Sequence, residues 1–498
     1  MAGFAELIEQ KAAETRTENG AYAVDTTGNA CLDLFAMIGS LREAEETRIT
    51  TLFESAYQED PLLATKIVFY GRDIRGGLGE RDTFRTLIKY MADHHKEAIL
   101  PNMDLIPEYG RFDDWYALIG THCEDEMWNA MKRQFDADTA AVKSGGTLSL
   151  LAKWMKTADA SSKETRKMGI LTAQKMGCSV YDYKRRVKTI RKALRIVERS
   201  MSTNEWGEIQ YESVPSRAML VHRDAFTKHD RERFAEFIDK VNEGSATIHA
   251  DTLYPYDIAE KYLDAYDSWG SKTVSAKEDA VLEAQWKALP DYVKGGENVV
   301  VMADVSGSMI GRPMATSVSL ALYFAERNIG AYHDMFMTFS EDPQFVKIKG
   351  GTLKQKLLGI RKSKWGMNTN LEKAMQAILQ IAKEGHIPAS DMPEALVIIS
   401  DMEIDICTSK LLFADQVKQM FEAEGYKMPN LVFWNVNSRH NVFHVKADYK
   451  GVQCVSGSSA STFRTVLDCI EMTPVDAMRK TMSSDRYAAI TIGQTKAA

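Results

Sequence analysis

Val299-Val300-Val301-Met302-Ala303 is an unbroken apolar run that ends on Asp304-Val305-Ser306-Gly307-Ser308, and this junction constrains the fold more than any other segment. A run that is apolar at every position, rather than every second one, predicts a strand covered on both faces, as in parallel sheets. The pattern recurs downstream. Strands are predicted over 298–303, 333–339, 395–400, 430–436 and 452–455, and helices over 313–328, 371–384, 409–423 and 462–472. Strands that alternate with helices imply a mostly parallel sheet with helices on both faces, an α/β doubly wound, Rossmann-like architecture. Ligands of such sheets bind beyond the C-terminal ends of the strands. At that end Asp304, Ser306 and Ser308, spaced two apart, offer one carboxylate and two hydroxyls. Hard oxygen donors of this kind suit Mg²⁺.

Two later segments extend the set. Gly366-Met367-Asn368-Thr369-Asn370-Leu371 opens a predicted helix and offers the Thr369 hydroxyl. Leu396-Val397-Ile398-Ile399-Ser400-Asp401 reads as a buried strand ending in a carboxylate. Taken together, Asp304, Ser306, Ser308, Thr369 and Asp401 resemble the metal-ion-dependent adhesion site (MIDAS) of von Willebrand factor A (vWA) domains. The resemblance implies a magnesium site with a binding role rather than a hydrolytic one. It implies that Asp304, Ser306 and Ser308 hold the ion from the first loop, that Thr369 adds a hydroxyl directly or after a shift of its loop, and that Asp401 acts directly or through water. One coordination position would stay open for a carboxylate from a partner protein or for a phosphate. Mn²⁺ and Ca²⁺ take the same hard ligands as Mg²⁺. Glu403 and Asp405, just beyond Asp401, read either as exposed loop acids or as groups that tune Asp401 from behind.

Ahead of residue 295 the periodicity is helical, with apolar residues at helical spacing over 64–69, 83–91, 115–119 and 234–241. Gly76-Gly77, Pro101, Pro107, Gly145-Gly146 and Pro215 break the pattern. No repeat of fixed period is present, and irregular helical pairs stacked into a solenoid fit the pattern. A chain of 498 residues exceeds one ordinary core. Lys294-Gly295-Gly296-Glu297-Asn298 reads as the turn between a helical domain, 1–295, and the α/β domain, 296–498. The end of the chain, from Pro474, is polar and predicts a C-terminal helix with a frayed tail. Six cysteines lie far apart without a Cys-x-x-Cys pair, as expected of reduced thiols in a cytoplasmic protein. Residues 1–15 carry Glu6, Glu9 and Glu14, unlike a signal peptide. No apolar run approaches the roughly 20 residues of a membrane span.

The net charge of −7 argues against a uniformly basic nucleic-acid coat, though not against a local basic surface. Residues 183–199 predict such a surface. Lys184, Lys188, Arg191, Arg195 and Arg199 share one helical face, Arg185, Arg186 and Lys192 flank it, and Val187, Ile190, Leu194 and Val197 cover the other side. A cationic stripe of this kind is a candidate phosphate-backbone contact, and its alternative is a solvated face paired with acids. Nearby Trp154, Tyr181 and Tyr183 are candidate stacking platforms for unpaired bases, or core residues. A second unusual segment, 71–81, combines glycines that permit close backbone approach with Arg72 and Arg75, which could clamp an anion. It lacks the Gly-Lys-Ser/Thr ending of a Walker loop, and reads equally as an inter-helix turn tied by Arg–Asp pairs. Asp113 or Asp114 would cap the helix after Tyr109-Gly110-Arg111-Phe112, and the adjacent His94 and His95 suit a solvated surface.

The order of these motifs carries a resemblance. Arg72-Asp73-Ile74-Arg75-Gly76-Gly77, then Tyr109-Gly110-Arg111-Phe112-Asp113-Asp114, the basic helix, Val214-Pro215-Ser216-Arg217-Ala218-Met219, Tyr254-Pro255 and finally Ser400-Asp401-Met402-Glu403 are similar to a TROVE-like family that ends in a vWA-like domain. Its distant relative is the Ro autoantigen. The resemblance implies a multidomain protein: an α-helical, HEAT-like or TROVE-like solenoid or ring, closed by the vWA domain. It implies an RNA-binding scaffold of ribonucleoprotein type that is not an enzyme. Arg72, Arg75, Lys184, Arg185, Lys188, Arg191, Lys192 and Arg195 would contact the RNA, and single-stranded ends or small structured non-coding RNA would be the partner. The competing reading is a metal-dependent protein–protein interaction adaptor without RNA binding. A third, a metal-dependent phosphoesterase using Asp304 and Asp401, needs a base or second metal that no histidine pair supplies.

Overall fold

Helices dominate the chain as far as residue 294, and a six-stranded sheet with flanking helices makes up most of the rest. The computed structural model describes residues 13–263, 277–294, 298–339, 343–361, 370–407 and 411–493. Near the N-terminus an antiparallel hairpin, β1 (Glu14–Arg16) and β2 (Tyr22–Val24), precedes the helices. It was too short and too polar to register as an apolar run. The sheet comprises β3 (Val299–Asp304), β4 (Met335–Phe339), β5 (Gln344–Lys347), β6 (Ala395–Ser400), β7 (Asn430–Asn435) and β8 (Val452–Ser456). Its order is β5-β4-β3-β6-β7-β8, and every pairing is parallel except β4 with β5. The chain therefore runs outward from β3 in one direction, returns, and runs outward from β6 in the other. The reversal between β3 and β6 is the switch point at which ligands of such sheets bind. Every residue of β3 and β6 is buried, which is why both read as continuous apolar runs. β5 escaped prediction because an edge strand alternates: Val346 is buried while Phe345 and Lys347 are exposed.

The helical part folds onto the sheet rather than beside it. The Ala30–Met37 helix packs on β8, and just beyond it Gly39 N–H donates to Ser456 Oγ at 3.0 Å. A Cβ at position 39 would sit 2.7 Å from the backbone of Gly457, so this approach requires glycine. Thr17 Oγ1 donates to Ile404 O at 2.6 Å and Ile406 N–H to Asn19 O at 3.0 Å, which fixes the β1–β2 hairpin on the loop after β6. The C-terminal segment crosses back. Its Pro474–Met482 helix packs on the Ala30–Met37 and Pro61–Arg72 helices. Arg486 then pairs with the buried Asp73 at 2.8 Å, Tyr487 and Ile490 are buried, and Gly493 N–H donates to Glu97 O at 2.8 Å. The tail is thus held against the helices as far as Gly493 rather than frayed; 494–498 lie outside the described residues. One hydrophobic core runs through both parts, joining Leu34 and Phe69 to Val301 and Trp434. A smaller core, built on Tyr211, Phe226, Phe234 and Phe237, holds the last helices before the sheet. Among the described residues no helix is long and apolar enough to cross a membrane.

Candidate metal centre and cationic groove

Asp304 ends β3 with its carboxylate fully buried. Oδ1 accepts the Ser306 backbone N–H at 2.9 Å, an Asx turn that curls the loop back over the strand end. Oδ2 accepts from Ser400 Oγ at 2.6 Å. The curl brings Ser306 Oγ within 3.1 Å of Ser308 Oγ, and Ser308 is exposed. Two adjacent ligands of an octahedral ion with bonds of about 2.1 Å lie roughly 3 Å apart, so this pair has ligand spacing. Asp401 follows β6, equally buried, with Oδ1 3.5 Å from Ser400 Oγ. Burial first, and the charge of Asp401 second, push the Asp304 carboxyl up. A cation between them would relieve both effects, and the donor set fits a hard divalent ion. The structure thus brings Asp304, Ser306, Ser308 and Asp401 to one place, while Thr369 lies outside the described residues.

Asp401 is not free to serve that ion with both oxygens. Oδ1 accepts the Glu403 N–H at 3.1 Å, and Oδ2 accepts from Arg439 Nη2 at 2.9 Å. Arg439 also grips Glu18 of the β1–β2 hairpin, Nη1 to Oε2 at 2.5 Å. Arg48 holds the arginine's loop in place by donating to Ser438 O at 2.7 Å and Asn441 Oδ1 at 2.8 Å. Sequence reasoning missed Arg439, Glu18 and Arg48, because no spacing links a hairpin, a helix and the loop after β7. Glu403 is no exposed loop acid. It is fully buried, its Oε2 accepts the Glu18 N–H at 2.7 Å, and its Oε1 lies 3.0 Å from His440 Nδ1.

The cationic segment is shorter as a helix than its periodicity predicts. Ser179 caps it by accepting from the Asp182 N–H, and it runs over Val180–Ala193. Arg195 adopts φ +50°, with Arg195 N–H donating to Lys192 O at 3.1 Å and Ile196 N–H to Arg191 O at 3.4 Å, a Schellman ending. A new helix, Val197–Ser202, follows. Tyr183, Val187 and Ile190 are buried, and Tyr183 donates its O–H to Lys156 O at 2.7 Å, so Tyr183 is core rather than platform.

The helix also walls a groove of about 860 Å³, which Tyr183 and Val187 border. Six lysines and arginines line it against two carboxylates, with Trp154 and Tyr181 among the aromatic lining. Of the basic residues singled out from sequence, Lys184, Arg185, Lys188, Arg191 and Arg199 line it, whereas Arg72, Arg75, Arg186, Lys192 and Arg195 do not. Several are already engaged. Lys184 pairs with Asp159 at 2.7 Å and Arg185 with Asp182 at 2.6 Å. Arg191 is a strut, donating to Ala152 O at 2.7 Å and Met155 O at 2.8 Å, and burial pushes its guanidinium pKa down. Among the described residues Lys188 and Lys192 have no acidic partner.

Arg72 does not reach a ligand surface. Its side chain is 2% exposed and pairs with the fully buried Asp114 at 2.8 Å. Arg85 closes the cluster onto Asp114 at 2.7 Å and Asp113 at 2.8 Å, and Asp114 also caps the turn that follows by accepting the Arg111 N–H at 2.9 Å. Arg75 is exposed and donates to Glu108 O at 2.8 Å. The neighbouring glycines serve close packing. Ile74 N–H donates to Tyr109 O at 3.0 Å, Tyr254 O–H donates to Leu78 O at 3.2 Å, and Asp257 holds both Arg217 and the Tyr254 N–H. A Cβ on Gly79, which has φ +66°, would lie 1.7 Å from the Tyr254 oxygen. Four of the motifs that carried the resemblance therefore form one structural clasp. His95, expected on the surface, is largely buried, 2.8 Å from Glu54 and packed on Tyr57.

Comparison with known sequences divides the chain in two. A family described as a domain of unknown function (DUF2828) matches residues 17–134 and 130–296, and a second, also a domain of unknown function (DUF7788), matches 298–496. An uncharacterised protein of Acanthamoeba polyphaga mimivirus is 26% identical over 506 aligned positions, which cover 93% of this chain and 86% of the viral one.

Proposed function

The chain belongs to the DUF2828 family, and from the two sites it carries we propose that it is a cytoplasmic RNA-binding scaffold resembling Ro ribonucleoproteins, with a TROVE-like, HEAT-like helical part, 1–295, and a vWA domain, 296–498. The observation that carries the reading is the cationic groove. It combines unpaired charge at Lys188 with aromatic rings, the combination that binds single-stranded nucleic acid. Single-stranded ends or a small structured non-coding RNA are the partner, held mainly by phosphate neutralisation. No chemical step on the RNA is part of this reading. In the vWA part, Asp304, Ser306 and Ser308 would hold Mg²⁺, or Mn²⁺ or Ca²⁺, with Asp401 behind them and Thr369 as a further hydroxyl. Bound there, the ion supplies a Lewis-acidic position for a carboxylate or phosphate.

One observation favours the adaptor reading. Ile310 and Ile406 stand 53% and 69% exposed on the loops after β3 and β6, and an aliphatic rim beside a metal suits a protein partner. Ultraviolet crosslinking from native cells, followed by sequencing of the bound RNA, separates the two. The control is Lys188→Glu, since Arg191 is structural and Lys192 and Arg195 lie off the groove. Discrete RNA that is lost in the control supports the scaffold; no RNA above background favours the adaptor. Asp304→Ala should abolish the thermal stabilisation given by Mg²⁺ and leave RNA binding intact. Loss of RNA binding by that folded variant would show that the two sites are not separate.

A further inference from the structure

Tyr181 is the most conspicuous side chain of the groove. It stands 78% exposed in the first turn of the Val180–Ala193 helix, where a tyrosine gains nothing from burial. Its spacing to Lys184 and Lys188 is three and then four residues, so all three lie on one helical face, and all three line the groove. Trp154 lines it too, half-buried, with the Arg111 guanidinium 4.7 Å and the Lys153 ammonium 5.7 Å from its ring centroid. Arg111 and Lys153 lie over the Trp154 ring, and the groove thus holds aromatic rings and cations together, matching the two chemistries of a nucleotide, a flat base and an anionic phosphate. The volume, about 860 Å³, is that of a pocket for one small ligand. A duplex keeps its bases stacked on each other and could offer only its backbone.

We propose that this groove is a subsite for a single unpaired nucleotide, its base stacked on Tyr181 and Trp154 and its phosphate neutralised by Lys188. The proposal rests on the RNA reading above and narrows it from backbone binding to recognition of an unstacked base. Lys184 is the reserve cation. It is exposed, and its pair with Asp159 is a surface one with which a bound phosphate would compete. The recognised chemistry is a nucleoside monophosphate, offered either by an RNA strand or by a free nucleotide.

The test uses the full-length protein and fluorescence anisotropy. A labelled single-stranded 12-mer RNA is compared with its blunt duplex, and AMP, ribose 5-phosphate and inorganic phosphate serve as competitors. Tyr181→Ala and Lys188→Ala alter exposed side chains, and their thermal melting should match that of the parent. The single strand should bind at least tenfold more tightly than the duplex. Tyr181→Ala should weaken the single strand by about tenfold, the scale of one lost base stack, and leave the duplex unchanged. AMP should compete where ribose 5-phosphate does not. If RNA binds but neither variant nor AMP alters it, the subsite is wrong and the RNA reading stands. If AMP binds in a Tyr181-dependent way and neither RNA does, the subsite stands and the RNA reading falls. Equal binding of strand and duplex with equal losses on Tyr181→Ala overturns the preference for an unpaired base, and no binding by any probe overturns both.

Discussion

His444 is the residue whose chemistry the fold alters most plainly. It is fully buried against Phe433, its Nε2 donates to Met402 O at 2.9 Å, and its Nδ1 has no partner. Burial pushes its pKa down to about 4. The folded state therefore binds the second imidazole proton less readily than the unfolded chain, whose histidine titrates near 6.5. Stability from this residue is complete above about pH 6.5, declines as the pH falls toward 4, and levels off below. The loss should total about 3 kcal/mol. Asp33, whose carboxyl burial pushes up to about 6, works in the opposite direction over part of that range. Urea unfolding of the parent and of His444→Asn at pH 7 and pH 4.5 isolates the histidine: the parent should lose more stability on acidification. Equal losses would assign the slope elsewhere. At this scale the sequence was informative wherever donors are close in the chain. Asp304, Ser306 and Ser308 lie within one turn and were legible. Arg439 and Glu18 reach the same site from opposite ends of the chain and were not. Arg72 misled, because a glycine-flanked arginine looks alike in an anion loop and in a buried ion pair.

Elements were legible where burial is regular, along every position of a central strand or along one face of a helix. The Leu371–Glu384 helix and the Ala395–Ser400 strand start and stop where their apolar patterns do. Prediction failed where one backbone angle overrides a continuing pattern. The cationic stripe runs on at helical spacing through Arg199, yet the helix ends at Ala193, with Leu194 as its C-cap, because Arg195 turns left-handed. A side chain in that conformation costs about 1 kcal/mol relative to glycine. Arg195→Gly should therefore raise the free energy of unfolding by up to about 1 kcal/mol, measurable in urea. Because Arg195 does not line the groove, single-strand affinity should stay within about twofold. A large loss of affinity in this better-folded variant would place Arg195 in the RNA contact after all.

The whole molecule departs furthest from its sequence. The glycine-rich sequence 294–298, of which 295–297 lie outside the described residues, and the two matched families both mark a division there, yet a single core joins the two sides. Periodicity reports which face of an element is buried, but not against what. Fragments 1–295 and 296–498 expressed separately should be insoluble or lack a cooperative melt, and co-expression should restore one transition. Two fragments that each melt cooperatively alone would overturn the shared core. The returning C-terminal segment sets a schedule for synthesis as well as an architecture. Asp73 gains Arg486, and the Ala30–Met37 and Pro61–Arg72 helices gain the last helix that packs on them, only when residues 474–493 leave the ribosome. At ~5–20 residues per second, some 400 residues of elongation take about 20–80 s. Throughout that interval the first helices can pack on one another, while the surface that residues 474–493 will cover stays open to solvent.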